Sequence, residues 1–542
     1  MELEHIPPYP QTPISRARCF AAALALAAAL PSAAFADSLS TAPGPGLPSG
    51  HGAGIDACVE QGLMRIGAPG AAVALVVDGE LVYQKGYGVK RYGLPDPVGH
   101  RTLFKAGSVQ KMMTAAAVMA QEQEGRLSLG DRVVQHVPEL ELGGPWPTRR
   151  IRVEDLLTHR SGVPDFSDLT CSDDLSTWAA GLGSTPLFAP AGAFYNYTNA
   201  GYSLAGLVAE RAAGRSYADV MRDDVWGPAG MGSTVLTPAE ALAYGDVSFG
   251  HGLDAQGQLE ILAPDAYECP WAAPSGDFFT TAPDLARFAL TLMDDGGDML
   301  DADAADRMQA PVVATWDDPD ERYGYGIGVR EVEGSRYHYH GGAVPGWSSH
   351  MLWSKGQGFA FAVAANAVAD LSGISHCALD TVLDVDWPEP VTTSPPSSWN
   401  RFSGAYLIRT FEGGPLLPTL VLRVGDTLWT LFPDPIDGGV LTLPAVPLGP
   451  RNFWIDIDGD GEPSGLEWIT FVESEGRWGI RRTWLRNRLY VGAKLFGVYG
   501  LSPRRGDLPE VTGDGSAAGA QIDGEHAETW RALMRAAEAL QD

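Results

Sequence analysis

The order in which the chain changes its hydrophobic period is its tightest constraint on fold. Residues 71–77 and 81–83 are β-rich runs around Asp78-Gly79, a hairpin signal because such turns need the left-handed backbone that Asp and Gly tolerate. Helix-like patterns then dominate from about Gly107 to Arg222. β-like runs return at 325–332, 336–340, 349–353 and 359–364. A doubly wound fold would alternate strand and helix regularly. The order β, then α, then β predicts an α+β domain, a sheet whose strands are separated by a helical insertion.

With 542 residues the chain can hold two or three domains of about 150 residues each. A boundary is expected at 386–398, where Trp387-Pro388-Glu389-Pro390 and Ser394-Pro395-Pro396 punctuate the chain. Beyond it, residues 419–424 and 427–432 alternate around Gly425-Asp426, and short β-like runs follow at 468–472 and 478–484. Residues 399–502 therefore read as a small β-barrel or sandwich. A Gly- and Asp-rich tail, 503–542, ends in helical spacing over 525–540.

At the other end, Arg16 and Arg18 precede an Ala- and Leu-rich run that closes on Ala34-Phe35-Ala36, the pattern of a secretory signal over 1–36 cleaved after Ala36. Pro31 and the many alanines argue against a retained span, which needs about 20 strongly apolar residues. Residues 37–54, with Ala42-Pro43-Gly44-Pro45-Gly46, read as a flexible tether, which leaves 55–385 as the principal domain. A periplasmic or secreted location is expected.

The formal charge of -29, from 38 Lys plus Arg against 67 Asp plus Glu, repels phosphate backbones, so nucleic acid is not an expected partner. Removing the leader leaves Cys58, Cys171, Cys269 and Cys377, for which three pairings exist. Cys58 falls in the first predicted helix and Cys377 in the last before the linker. Cys58 with Cys377 and Cys171 with Cys269 is the pairing preferred, four free buried thiols being the alternative.

The chemistry concentrates in three segments. In Phe104-Lys105-Ala106-Gly107-Ser108-Val109-Gln110-Lys111, Ser108 and Lys111 stand three apart at the start of an Ala- and Met-rich helix, which places both on one face. A lysine beside a serine in a partly desolvated site helps remove the hydroxyl proton, and the unpaired amide of Ser108 at a helix start can stabilise an oxyanion. Tyr195-Asn196-Tyr197-Thr198-Asn199 adds a Tyr-x-Asn triplet: Tyr197 can act as base and then acid, and Asn199 can bind a substrate amide. Tyr337-His338-Tyr339-His340-Gly341-Gly342-Ala343 places His340 at the end of a β-run, followed by glycines that let a substrate backbone approach.

In this order and spacing the motifs resemble the serine β-lactamase and penicillin-binding superfamily, in the branch with S-x-x-K, Y-x-N and H/K-x-G. Pro69-Gly70, Leu156-Leu157-Thr158-His159-Arg160-Ser161-Gly162, Pro274-Ser275-Gly276-Asp277 and Gly341-Gly342-Ala343-Val344-Pro345-Gly346 also look like this branch. The resemblance covers roughly 56–385. It implies an antiparallel sheet flanked by helices, an all-helical subdomain and a site in the groove between them. Ser108 would be the acylated nucleophile, Lys111 its activating partner, Tyr197 the general base and acid, and Asn199 a substrate ligand. His340 would complete the proton network near Tyr197, with Gly341, Gly342 and Ala343 lining the substrate and the amides of Ser108 and Ala343 forming the oxyanion hole.

The expected partners are a small-molecule or peptide substrate, with cell-wall peptidoglycan in view, and no catalytic cofactor. Gly341 departs from the K-T-G form, in which a hydroxyl helps to bind a substrate carboxylate, and His340 lacks the lysine's permanent charge. Esterases and D-aminopeptidases share such sites, and a non-catalytic cell-surface binding protein is a rival of another class. Retention of Ser108, Lys111 and Tyr197 speaks against that rival.

Three further features stand outside these motifs. His159 reads as a buried histidine that shapes its loop. His338 and His340 share a strand face but lack neighbouring ligands for a metal. Asp456, Asp458, Asp460 and Glu467 satisfy the D-x-D-x-D-G-x5-E pattern, so this segment is either a structural calcium loop or an acidic β-turn, with Pro463 and strand-like flanks favouring the turn.

Overall fold

The computed structural model describes Leu47, residues 50–497 and the short stretches 516–517, 520–521 and 532; within 50–497 it leaves out 145, 165–170, 172–173, 184, 188, 194, 254–257, 316–319, 389–395, 410–415, 434–439, 448–451, 456–466, 475–476 and 485–488. The first 46 residues, with the signal and most of the tether, lie outside the described residues, as do 525–540 apart from 532 and the calcium-loop residues Asp456, Asp458 and Asp460.

Eight antiparallel strands make the central sheet: β1 (Gly70–Val77), β2 (Glu80–Gly88), β3 (Val313–Ala314), β4 (Glu321–Tyr323), β5 (Gly328–Val332), β6 (Ser335–Val344), β7 (Trp347–Ser354) and β8 (Phe359–Ala365). Their spatial order is β2-β1-β8-β7-β6-β5-β4-β3. β1 pairs with β8 from Ala71 opposite Ala365 to Val77 opposite Phe359, so the two ends of the domain close one sheet around the helical insertion.

The two-residue period of β1 sends its side chains into different cores. Ala71, Val73 and Leu75 pack with Ile55, Val59 and Leu63 of α1 (His51–Ile66) and with Ile374 and Ala378 of α5 (Ser372–Leu383). Ala72, Ala74 and Val76 belong to the other core with Leu285, Phe288 and Leu292 of α4 (Ala282–Met293). Each buried Val, Leu, Ile or Phe contributes about 1.5–3 kcal/mol. The sheet is thus sandwiched between helices.

The helical insertion is built around α2 (Gln110–Gln123), in which every residue from Gln110 to Gln121 is buried. Its polar side chains donate to acceptors on neighbouring segments, Gln110 Nε2 to the Tyr217 hydroxyl at 2.9 Å, Thr114 Oγ1 to Pro274 O at 2.7 Å and Gln121 Nε2 to Asp224 at 2.9 Å, while Gln110 Oε1 has no hydrogen-bond partner among the described residues. α3 (Asn199–Ala213) packs on α2, and its first turn is capped by Thr198, whose hydroxyl accepts from Gly201 N.

Disulfides join Cys58 of α1 to Cys377 of α5, with Cα atoms 5.7 Å apart, and Cys171 to Cys269. Beyond the sheet, β9 (Gly404–Arg409), β10 (Leu416–Val424), β11 (Thr427–Pro433), β12 (Val440–Pro447), β13 (Asn452–Ile455), β14 (Glu467–Ser474), β15 (Arg477–Trp484) and β16 (Leu489–Gly497) form a closed barrel. β9 pairs with both β10 and β16, which removes the exposed edges that a sandwich would retain. Glu467 opens β14.

The structure corrects three readings. α1 begins at His51, inside the segment assigned to the tether. Pro396–Phe402, within and just after the expected linker, is a 3-10 helix. β6 runs on through Gly341, Gly342 and Ala343 to Val344, so His340 sits inside a strand whose glycines disguise it in the sequence.

Candidate active site

Ser108 lies in a 3-10 turn, Gly107–Val109, that leads directly into α2, and not in the α-helix the spacing predicts. Lys111 follows in the first turn of α2, three residues on, and so lies on the same side as Ser108. Lys111 Nζ donates to Ser108 Oγ at 3.0 Å, to Asn199 Oδ1 at 2.7 Å and to Ser275 O at 2.6 Å. These three acceptors match the three donors of an ammonium group, and the side chain is wholly buried. Ser108 itself is half-buried.

Two glycines bring the serine turn against β6. Gly107 has φ +65, and a Cβ there would lie 2.6 Å from Ala343 N. A Cβ on Gly342 would lie 1.9 Å from Ala106 O. Only bare backbone permits this approach, which sets the amides of Ser108 and Ala343 on neighbouring segments at the site. Gly342 is buried, whereas Gly341 and Ala343 are exposed.

Tyr197 enters from the loop before α3, with Lys111 Nζ 4.7 Å from its ring centroid. His340 lies behind it, ring centroids 6.3 Å apart. Burial, followed by the charge of Lys111, pushes the imidazole down to about 3, so it is neutral at ordinary pH. Its Nε2 is 3.0 Å from the Tyr323 hydroxyl, a partner that no sequence pattern announces because Tyr323 comes from the short strand β4.

A second buried cation supports the turn from the other side. Lys105, on the strand pair Phe104–Lys105 with Phe279–Thr280, donates to Asp277 Oδ1 at 2.6 Å and to Tyr267 O at 3.0 Å. Asp277 Oδ2 accepts from the amide of Cys269 at 2.8 Å. The segment that carries Ser275 O to Lys111 is therefore fastened at its ends by an ion pair and a disulfide.

The structure thus brings Ser108, Lys111, Tyr197, Asn199, His340 and Gly342 into one region. Asn199 accepts from Lys111 there, whereas the sequence assigns it to a substrate amide. Ser275 was visible in the Pro-Ser-Gly-Asp stretch, but its contribution is a backbone carbonyl, which side-chain reasoning does not find. Among the described residues no group of three or more His, Cys, Asp or Glu is arranged to hold a metal, and no helix is long and apolar enough to cross a membrane.

An antiparallel sheet flanked by helices, with a Ser-x-x-Lys turn laid against a sheet strand, defines the β-lactamase and transpeptidase fold. The family model for Beta-lactamase matches residues 55–374, and the chain belongs to that family. Penicillin-binding protein 4 of Amycolatopsis lactamdurans is 29% identical over 365 residues, covering 64% of this chain and 93% of that protein. The octameric penicillin-binding protein homologue from Pyrococcus abyssi aligns with TM-score 0.56 and 21% identity over 81% of this chain and 99% of its own. A D-stereospecific amidohydrolase from Streptomyces sp. aligns with TM-score 0.52 and 22% identity over 61% of this chain and 98% of its own.

Proposed function

We propose that this protein is a secreted or periplasmic serine hydrolase that acylates Ser108 with an amide or ester carbonyl substrate of the β-lactam or D-alanyl peptide class, and then hydrolyses the acyl-enzyme. The observation that carries this reading is the 3.0 Å contact of Lys111 Nζ with Ser108 Oγ, made by an ammonium already anchored on Asn199 and Ser275. Tyr197, reacting as the phenolate beside the Lys111 ammonium, accepts the proton of Ser108 Oγ as that oxygen bonds to the carbonyl carbon. The charge of Lys111 favours the anion developing on either oxygen. The tetrahedral oxyanion is held by the amides of Ser108 and Ala343. As the intermediate collapses, the carbonyl carbon breaks its bond to the leaving group, which takes the proton from Tyr197. A water molecule repeats the sequence in reverse and releases Ser108. The two disulfides and the basic, then apolar, leader support the location.

The substrate class has a second reading. At Gly341 a side chain would meet only His350 Cδ2, at 3.8 Å, so this position offers room but no hydroxyl for a carboxylate. His340 beside it is uncharged. Both features favour an ester or an N-terminal D-amino acid amide over a substrate that carries a free carboxylate, a penicillin included.

Mass spectrometry after incubation with a penicillin and with a fluorophosphonate, for the wild type and Ser108→Ala, tests the proposal. An adduct on Ser108 that is absent from the variant is expected, and its rate of loss separates lactamase from peptidase behaviour. No adduct with either probe would favour a non-catalytic binding protein.

A further inference from the structure

His159 is held in two unfavourable states at once. Its backbone is left-handed at φ +55, a conformation that costs a residue with a Cβ. Its ring is buried, 1% exposed, with Nε2 lacking a hydrogen-bond partner among the described residues. Nδ1 accepts the amide of Thr198 at 3.1 Å, so the ring proton sits on that unpartnered Nε2. Burial, with Lys111 and His340 nearby, holds the imidazole well below its ordinary range, so Nδ1 keeps its lone pair. Strain and an unsatisfied buried donor at one residue call for a compensating role.

The hydrogen bonds identify that role. The carbonyl of His159 accepts the amide of Asn196 at 2.7 Å, while its ring accepts that of Thr198. The two bonds hold the residues on either side of Tyr197. The His159 and Tyr197 rings also lie with centroids 4.3 Å apart. From this we infer that His159 is a positioning residue for Tyr197: its carbonyl holds the amide of Asn196, its ring holds the amide of Thr198, and the ring packs on the phenol between them. The inference rests on the reading of Tyr197 as the proton carrier. It goes beyond it by assigning the placement of that proton carrier to a residue that itself transfers no proton.

The experiment compares His159→Asn, whose Oδ1 can stand in for Nδ1 and which tolerates a left-handed backbone, with His159→Leu, which keeps bulk but offers no acceptor. Hydrolysis of p-nitrophenyl acetate by the full chain is read as kcat and KM. A phenol displaced by about 1 Å costs about 100-fold. H159L should lose about that factor in kcat with KM within about threefold, while H159N stays within about tenfold of wild type. In a Tyr197→Phe background, H159L should cause no further loss, because the residue it positions is gone. Where H159L does not fold, His159→Gln takes its place, since its amide is too long to present an acceptor at the Nδ1 position. Equal impairment of H159N and H159L, or an undiminished loss in the Y197F background, would overturn the inference. Failure of the underlying reading has a different signature: wild type and Ser108→Ala would hydrolyse the ester equally, and both proposals would fall.

Discussion

The Tyr323 hydroxyl donates to His340 Nε2 at 3.0 Å while His340 Nδ1 donates to the Gly341 carbonyl at 2.6 Å. Both ring nitrogens are thereby committed, and the hydrogen-bond network assigns the neutral Nδ1–H tautomer. The donor is secure because burial raises the Tyr323 phenol well above its ordinary range. Tyr323→Phe leaves a buried lone pair without a donor. A loss of about 1–3 kcal/mol in stability is expected, measured by urea unfolding.

Gly107→Ala tests the oxyanion geometry separately from the Lys111 contact. The added methyl meets Ala343 N and disfavours φ +65. The expected result is a fall in kcat of about 100- to 1000-fold, the usual effect of losing one oxyanion donor. A binding measurement with a slowly turned-over penicillin should show a much smaller change.

Lys105 and Asp277 are a buried ion pair, with side-chain exposures of 0% and 9%. Lys105→Met strands the carboxylate and should cost about 3–5 kcal/mol. Adding Asp277→Asn should recover part of that loss. Chemical denaturation of the two single variants and the double variant completes the cycle, and additive losses would show that the pair is not coupled.

The Cys58–Cys377 bridge joins the two helices that cover one face of the sheet, across a separation of 319 residues. Removing it with Cys58→Ser and Cys377→Ser together should lower stability by about 2–5 kcal/mol, seen as a lower melting temperature.

Burial pushes His340 and His376 down to about 3 and His338 and His350 down to about 4. Between these values and the ordinary 6.5, the unfolded chain binds more protons than the native one, so stability rises with pH across this window. Acidification from about pH 6.5 to about pH 4 should therefore destabilise the fold steadily before most carboxylates titrate. Thermal unfolding at closely spaced pH values checks this. His340 should add no step near pH 6.5 to the rate profile.

Much of the site was legible because its chemistry demands side chains at short, regular spacing. Ser108 and Lys111 face one another through local geometry alone, since three-residue spacing keeps them on one side even where a 3-10 turn leads into the helix. The hairpin of β1 and β2 was legible for the same reason. Tyr323, Ser275 and His159 were not assigned to the site. Tyr323 arrives on a three-residue strand, Ser275 contributes a carbonyl that every residue possesses, and His159 acts through backbone amides of another segment. β6 extends beyond what its sequence suggests, because Gly341 and Gly342 have little strand propensity.

Local order in the chain determined the fold class, the Ser108–Lys111 pair and the candidate motifs, since alternation and three-residue spacing act between neighbours. The closeness of Tyr197, His340, Tyr323 and Asn199 to that pair was decided only when the sheet closed and α3 packed on α2. Such contacts depend on burial and on which backbones can touch, and these are properties of the assembled core that no single segment carries.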